Sequence, residues 1–193
     1  MSSYPLAKIC NVRYPIPAND YIDSFIGKTE ELWTYYCSAQ SSKNVSNSFF
    51  SMPSVRNRIL GYQMYKYSVK GFLHWGYNFY FNQYSRKPID PYKVTDAGKA
   101  FASGDSFVVY PGDNFTPLNS LRLNVFYDGL QDMMALQLLE TKIGKEAVVK
   151  LMEDSTDKPI TFSEYPHSNS WLLENREKIN QKIKNIFNID SNQ

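Results

Sequence analysis

Cysteine and histidine are scarce in this sequence, since each occurs only twice in 193 residues. Cys10 and Cys37 are too few for a disulfide scaffold, and with His74 and His167 they form no pattern of a four-ligand zinc site. The sequence also lacks a glycine-rich phosphate loop and a Gly-x-Ser-x-Gly nucleophile elbow. We therefore expect no metal centre and no cofactor, and the common motifs assign no catalytic residue.

Net charge is small, and long apolar stretches are missing. The 21 Lys and Arg against 19 Asp and Glu leave a charge of +2, which argues against nucleic acid or an anionic membrane as partner. The longest apolar stretches, such as residues 107–110, are far shorter than the about 20 residues of a membrane span. The N-terminus shows no basic segment followed by an apolar one. We therefore expect no signal peptide and, for a complete chain, a cytoplasmic location.

Aromatic residues, by contrast, are abundant. The 12 Phe, 15 Tyr and 3 Trp make up 16% of the chain, while the hydrophobic share of 42% is ordinary for a globular protein. An excess of tyrosine indicates half-buried rings whose hydroxyl ends reach water, as on surfaces that bind carbohydrate or protein. A core rich in aromatic rings would account for the same composition, so both interpretations stay open here.

Short apolar or aromatic runs predict four buried strands separated by loops and helices, at residues 7–12, 31–37, 69–78 and 106–110. Strands of this kind are typical of a parallel α/β sheet. An eight-stranded (β/α)8 barrel needs about 250 residues. The predicted fold class is therefore α/β, a partial (half) TIM-type barrel of four βα units with C-terminal helices. We assign residues 1–145 to the half-barrel and residues 146–193 to a helical extension packed on it.

Helical patterns occupy much of the remaining chain, at residues 19–27, 51–62, 121–143, 145–154 and 170–187. The longest helix begins after Asn119 or Ser120 as its N-cap and ends at Gly144. Gly129 interrupts it at a cost of about 1 kcal/mol relative to alanine. We therefore expect neighbouring backbone to pack closely against the helix at Gly129.

The polar residues near the strands have structural interpretations. His74 is interpreted as a hydrogen-bonded core residue within the third strand, and Asp105, which follows Gly104, as a turn residue. Arg122, Asp128 and Asp132 of the long helix are interpreted as structural ion pairs. For Arg122 a second role stays open, in which it steadies the rim of an active site.

Four blocks of sequence, taken in order, resemble one known family. They are Trp33-Thr34-Tyr35-Tyr36-Cys37, the stretch from Gly71 to Asn78, the stretch from Gly104 to Gly112, and the stretch from Leu121 to Asp132. Together they resemble the C-terminal part of the catalytic domain of glycoside hydrolase family 123, a region long catalogued as a domain of unknown function. The resemblance extends roughly over residues 5–145.

The resemblance implies a (β/α)8 barrel behind an N-terminal β-sandwich, in a family whose characterised members remove β-linked N-acetylgalactosamine. The family uses the acetamido oxygen of the substrate as nucleophile, a Glu as acid and an adjacent Asp that orients the acetamido group. This sequence contains no Asp-Glu dipeptide, and Glu153-Asp154 has the reverse order. We therefore carry over no catalytic residue, expect the pair on a missing N-terminal half, and expect the chain alone to be inactive.

The resemblance also implies a sugar pocket, formed by Trp33, Tyr35, Trp75, Tyr77, Asn78 and Tyr110. An indole or phenol face can lie against the apolar face of a pyranose, while hydroxyl and amide groups hold its polar substituents. Strand alternation puts Trp33, Tyr35 and Cys37 on one side of their strand, so about half of the rings can reach a ligand. Packing in the core is the alternative for each of the six, and Trp75 and Asn78 are the strongest candidates.

The leading hypothesis is thus the C-terminal half of a family 123-like glycosidase, with an N-acetylhexosamine-containing glycan as partner. The alternatives are a carbohydrate-binding module without chemistry and an assembly module. In the latter, unpaired edges of the first and fourth strands would cause self-association or pairing with an N-terminal half. A closed ring of eight strands, or a carboxylic acid beside the indole of Trp75, would contradict the leading hypothesis.

Overall fold

A computed structural model describes the backbone of residues 3–190 and the side chains of residues 3–187. Its helices are α1 (Tyr4–Ile9), α2 (Val55–Arg58), α3 (Leu60–Lys66), α4 (Leu121–Ile143), α5 (Lys145–Glu153) and α6 (Asn169–Asp190). Its strands are β1 (Trp33–Tyr35), β2 (Gly71–Leu73), β3 (Val109–Pro111) and β4 (Pro117–Asn119). None of the described helices has the length and the apolar content that a membrane span requires.

The second and third predicted strands are confirmed, although both are shorter than predicted. β1 and β2 pair in parallel, with Tyr35 opposite Leu73. Ala18 forms a parallel bridge with Tyr35 on the other edge of β1. β1 is therefore the middle row of a small parallel sheet, and residues 15–19 form its first row.

The predicted first strand at residues 7–12 is wrong, because this segment contains the end of α1 and the turn after it. The actual first row contains Pro15 and Pro17, whose carbonyl groups accept hydrogen bonds from the N–H groups of Trp33 and Tyr35. Neither proline has an N–H to donate in return, so this row of the ladder is incomplete.

The predicted fourth strand, at residues 106–110, is confirmed only in its last two residues, and its predicted parallel pairing is wrong. β3 pairs with β4 in an antiparallel hairpin, and Phe107 makes a separate antiparallel bridge with Asn78. The predicted helix at residues 19–27 is reduced to a short 3-10 turn. The described residues form helices and small sheets that are compatible with the α/β class, and they contain no closed barrel.

The long helix α4 begins and ends where the sequence predicts. The Ser120 hydroxyl accepts a hydrogen bond from the Leu123 N–H at 3.1 Å, and Gly144 follows the last turn with a φ of 79°. A Cβ on Gly129 would lie 2.7 Å from the carbonyl oxygen of Arg58, at the end of α2. A Cβ on Gly61 would lie 1.8 Å from the carbonyl oxygen of Gly129. The predicted close backbone approach at Gly129 is confirmed.

Helices cover one face of the parallel sheet. Leu32 and Tyr36 are buried and belong to the same apolar cluster as Leu60 and Met64 of α3. A second cluster joins α3, α4, α5 and α6, and its fully buried members include Leu136. The division of the chain at residues 145 and 146 stays a prediction.

Asp132 confirms one of the predicted ion pairs. Its carboxylate is buried and accepts hydrogen bonds from Arg58 at 2.6 and 2.9 Å and from Arg176 at 3.0 Å. This pair of contacts joins α2, α4 and α6. Within the described part of the chain, neither Asp128 nor Arg122 forms a salt bridge, so the ion-pair interpretation of these two residues is wrong.

Candidate functional site

The carboxyl ends of the parallel rows meet at one edge of the sheet. Asp20 follows the first row, Cys37 follows β1, and Trp75 follows β2. Ala18, Tyr35 and Leu73 are paired across the sheet. Each of the three residues lies two positions beyond one member of this set, so the register extended past the strands places them at the same level. We call this the carboxyl edge, the place where parallel α/β folds carry functional residues.

Asp105 joins the carboxyl edge from the turn that precedes β3. Its Oδ2 accepts hydrogen bonds from the Ser38 N–H at 2.8 Å, the Ser38 hydroxyl at 2.7 Å and the Trp75 indole N–H at 3.1 Å. The residue is 1% exposed, and its Oδ1 is buried with no hydrogen-bond partner among the described residues. A single carboxylate oxygen therefore connects the ends of β1 and β2 to the turn that precedes β3.

The interpretation of Asp105 as a turn residue holds for its backbone, whose N–H donates to the Ala102 carbonyl at 2.9 Å. It is wrong about the side chain, which places a carboxyl group beside the indole of Trp75. A carboxylic acid beside the indole of Trp75 is one of the two arrangements expected to contradict the leading hypothesis, and the structure shows it. A general acid must approach the oxygen that it protonates to about 2.6–3.2 Å. The burial of Asp105 and its bonds to three donors favour an acceptor that holds neighbouring groups.

Trp75 remains accessible although several groups hold it. Its ring centroid lies 5.0 Å from that of Phe101 and 5.4 Å from that of Phe79. The residue is nevertheless 38% exposed. An exposed, immobilised indole is the kind of surface on which a pyranose ring stacks.

The face of the sheet that the helices do not cover is apolar. Leu73 is 39% exposed, and Trp33 and Tyr35 are only partly buried, whereas Thr34 on the other face is buried. We call the surface of Trp33, Tyr35 and Leu73 the open face. Trp75 lies at its carboxyl edge.

A cavity of about 270 Å³ lies on the helix side of the sheet, and its wall includes Tyr36, Phe72, His74, Tyr77, Arg122 and Phe126. His74 lies one residue beyond β2, and its Nδ1 accepts a hydrogen bond from the Gly76 N–H at 3.2 Å. The neutral ring therefore carries its proton on Nε2, which is buried without a partner in the part of the chain that the structure describes. Burial lowers the pKa of His74, with Asp105 opposing and Arg122 reinforcing that shift.

Arg122, in the first turn of α4, holds three loop carbonyl groups. Its guanidinium donates to Ser48 at 3.3 Å, to Gly104 at 2.7 Å and to Phe107 at 2.6 Å. The same group lies 4.4 Å from the centroid of the Phe50 ring. Burial lowers its pKa, although the group remains a guanidinium with strong donors. These contacts hold three loop segments together, and the second role left open by the sequence, steadying the rim of an active site, stays a prediction.

The remaining residues of the predicted sugar pocket do not gather at one point. Trp33 lies at the amino end of β1, where its indole donates to Glu31 at 2.7 Å. Tyr77 is 51% exposed at the cavity on the helix side, and Asn78 is exposed at its bridge. Tyr110 lies on the β3–β4 hairpin. Of the six, Trp33 and Tyr35 share the open face, and Trp75 lies at its carboxyl edge, nearer to Tyr35 than to Trp33 in the register.

Sequence reasoning misses Asp20 and Ser38. Asp20 accepts a hydrogen bond from the Gln40 amide at 3.1 Å, and it adds to the effect of burial in raising the pKa of Tyr35 and Cys37. The available signal for Asp20 is its position directly after a strand. That signal is lost when the first strand is assigned to residues 7–12.

The described residues contain no group of three or more His, Cys, Asp or Glu side chains that could hold a metal ion. A larger cavity, of about 450 Å³, lies at the segment that joins α5 to α6, and its wall includes Tyr165, His167 and Trp171. We call it the C-terminal cavity. It is separate from the carboxyl edge.

A comparison with protein-family models matches residues 7–139 to the family described as Glycoside hydrolase 123, catalytic domain. The chain belongs to glycoside hydrolase family 123. The resemblance found from the four sequence blocks is thereby confirmed, and the matched range of this family 123 chain includes the whole carboxyl edge. The C-terminal cavity and the helices α5 and α6 lie beyond it. A search of the curated proteins finds no significant match.

Proposed function

We propose that this family 123 chain is the C-terminal part of a glycoside hydrolase resembling the β-N-acetylgalactosaminidases. It supplies the aromatic wall of the sugar site, and the Asp-Glu pair of the family comes from an N-terminal half that is not in this sequence. The observation that carries the proposal is Trp75, an exposed indole at the carboxyl edge of a chain matched to a glycosidase catalytic domain. The substrate class, N-acetylhexosamine-containing glycan, follows from the family resemblance.

The uncovered face of the sheet supports a half-barrel. In a (β/α)8 barrel the strand face turned away from the helices is the interior, and functional groups lie at the carboxyl ends of the strands. Here the face turned away from the helices is the open face, which leaves Leu73 39% exposed. An N-terminal half packed on it would cover these apolar side chains. Its acid would then reach the carboxyl edge, where Trp75 stands.

The two carboxylates at the carboxyl edge support the absence of the family's acid. Asp105 is 1% exposed and accepts three hydrogen bonds on one oxygen, so it is not placed to protonate a substrate. Asp20 is more accessible and has the Gln40 amide as its partner. Neither is followed by a glutamate, and the dipeptide of the family occurs nowhere in the chain.

Hydrolysis of an aryl β-N-acetylgalactosaminide by the purified chain tests the missing acid. We expect release of the aryl group no faster than in buffer, because the Asp-Glu pair of the family is absent from this sequence. Release well above the buffer rate that Asp20→Asn or Asp105→Asn abolishes would contradict this part of the proposal and would identify the acid.

A carbohydrate-binding module without chemistry is the second candidate, and the 38% exposure of Trp75 favours it independently of any acid. A complete module binds sugar firmly by itself, whereas a half-site binds weakly because part of its wall is absent. In both cases Trp75→Ala should abolish the binding of N-acetylgalactosamine. Tyr84→Ala, at a loop residue that is 74% exposed, is the matched control and should leave binding unchanged.

The strength of that binding distinguishes the candidates. Calorimetric titration of the wild-type chain measures the dissociation constant. Firm binding without hydrolysis would favour the module, and weak binding would favour the half-enzyme. Binding that survives Trp75→Ala would contradict both, because each assigns the stacking platform to this indole.

A further inference from the structure

The Asp105 carboxylate connects three chain segments, its own turn and those of Ser38 and Trp75, at a cost in free energy. A buried charge loses its hydration, and this one leaves Oδ1 without a hydrogen-bond partner among the described residues. Packing alone would be served by an apolar side chain of similar shape. The charge is therefore explained by the groups that it holds, and these are Ser38 and Trp75.

The two held groups depend on Asp105 to different degrees. The Ser38 hydroxyl has a further bond, since it accepts from the Ala102 N–H at 2.8 Å. The Trp75 indole N–H, within the described chain, has Asp105 as its only hydrogen-bond partner. Phe79 and Phe101 contact the indole at interplanar angles of 56° and 69° without a directional bond. The bond to Asp105 is thus the contact that sets the rotation of the indole plane.

We infer that Asp105 is a positioning residue of the sugar site, which acts through the Trp75 indole by fixing the plane on which a pyranose stacks. The inference rests on the proposed function, because it requires that Trp75 contacts sugar. A platform ordered before binding loses less conformational freedom when the ligand arrives, so its hold on the ligand is stronger.

The first test measures the NMR signal of the Trp75 indole N–H in the absence of sugar. The indole N–H resonances of a ¹⁵N-labelled chain report on Trp33, Trp75 and Trp171, and Trp75→Phe identifies the signal of Trp75. Asp105→Leu, of similar shape but without an acceptor, should shift this signal and speed its exchange with water. Asp105→Asn keeps one acceptor oxygen and should give a smaller change. Asp113→Asn, at an exposed aspartate of the hairpin, is the matched control and should change nothing.

The second test is a double-mutant cycle on sugar affinity, with N-acetylgalactosamine as the probe. Asp105→Leu should weaken binding by about fivefold, the value of one typical hydrogen bond, and Asp105→Asn should weaken it less. In the Trp75→Phe background, which lacks the indole N–H, neither substitution should weaken binding further. Thermal unfolding of all of these chains separates this effect from loss of stability, and the Asn variant carries the test if the Leu variant does not fold.

The outcomes separate this inference from the proposed function. Equal losses of affinity in both backgrounds would overturn the positioning role and leave Asp105 as a residue of the fold. An Asp105→Leu chain that folds with an unchanged Trp75 resonance would overturn it as well. If Trp75→Ala leaves sugar binding intact, the proposed function fails, and the inference fails with it even where the indole signal depends on Asp105.

Discussion

The contacts of the His74 imidazole determine which protonation state the folded protein favours. Its ring lies 5.8 Å from Tyr36 and 6.4 Å from Phe72, measured between centroids, and its Nδ1 accepts from the Gly76 N–H. Burial lowers its pKa, Asp105 raises it and Arg122 lowers it further. The folded protein therefore favours the neutral imidazole at this position.

The first prediction concerns the pH dependence of stability. In the unfolded chain a histidine has a pKa of about 6.5. Because the folded-state pKa of His74 is lower, its contribution is complete above that pH and is lost as the pH falls through the folded-state value. We expect His74→Asn, whose amide oxygen can still accept from Gly76, to lose less unfolding free energy than wild type between about pH 7 and 5.

Urea unfolding at each pH measures this effect. His167→Asn retains His74 and is the control for removing a histidine, so it should keep the loss that His74 causes. An equal pH dependence in wild type and His74→Asn would show that burial of this ring does not govern acid stability.

For single residues, the sequence predicts which residue types the site contains better than it predicts what each residue does. Trp75 is found as a candidate through the family resemblance, which rests on local blocks of sequence such as residues 71–78. The role of Asp105 is not visible, because its three donors come from Ser38 and Trp75, which lie 67 and 30 positions away in the chain. Long-range contacts of this kind are created by the fold.

The element that the sequence predicts best is α4. Its N-cap at Ser120 and its end at Gly144 depend on local hydrogen bonds and on one backbone angle, which neighbouring residues determine. The run at residues 7–12 is short and apolar, and such a run fits a helix and a strand alike. The actual first row of the sheet is hidden by Pro15 and Pro17, which are rare in strands and contribute only their carbonyl groups here.

The second prediction concerns the crossing of α4 with α2 and α3. Replacing glycine by alanine in an exposed helix position stabilises by about 1 kcal/mol. At Gly61 and Gly129 the new Cβ would meet backbone oxygen at 1.8 and 2.7 Å, which no side-chain rotation relieves. We therefore expect both substitutions to destabilise the protein, by about 2 kcal/mol or more, and Gly61→Ala to cost more than Gly129→Ala.

Thermal and urea unfolding of the two variants tests the crossing. Asn124→Ala, at an exposed position of α4, adds helix propensity without a new contact and should stabilise slightly. A Gly129→Ala chain as stable as wild type would contradict the close approach of α4 to the end of α2.

For the molecule as a whole, the aromatic rings are divided between the core and the surface, and a binding role of the exposed rings stays a prediction. Tyr36, Tyr62 and Phe25 are almost completely buried, whereas Trp75 and Tyr77 are 38% and 51% exposed. Composition gives the number of rings and not their distribution, because that distribution depends on which sheet face the helices cover.

The sequence likewise predicts free strand edges but assigns them to the wrong segments. In the described residues, the edges of the parallel sheet are residues 15–19 and β2.

The third prediction follows from these edges and from the open face. β2 pairs with β1 alone among the described residues, so its other edge offers unpaired backbone groups beside Leu73, which is 39% exposed. An exposed edge next to apolar side chains favours association with another chain. We expect the purified protein to sediment at micromolar concentration as a species heavier than its 22.4 kDa monomer.

A charge at the edge tests whether this surface is responsible. Leu73→Lys should shift the chain towards the monomer, because a lysine on an edge strand blocks pairing. Leu118→Lys, at a hairpin residue that is 50% exposed, adds the same charge elsewhere and should leave association unchanged. A wild-type chain that sediments as a clean monomer would contradict the prediction. An N-terminal half that completes the barrel would occupy the same face, so adding it should replace self-association by a one-to-one complex.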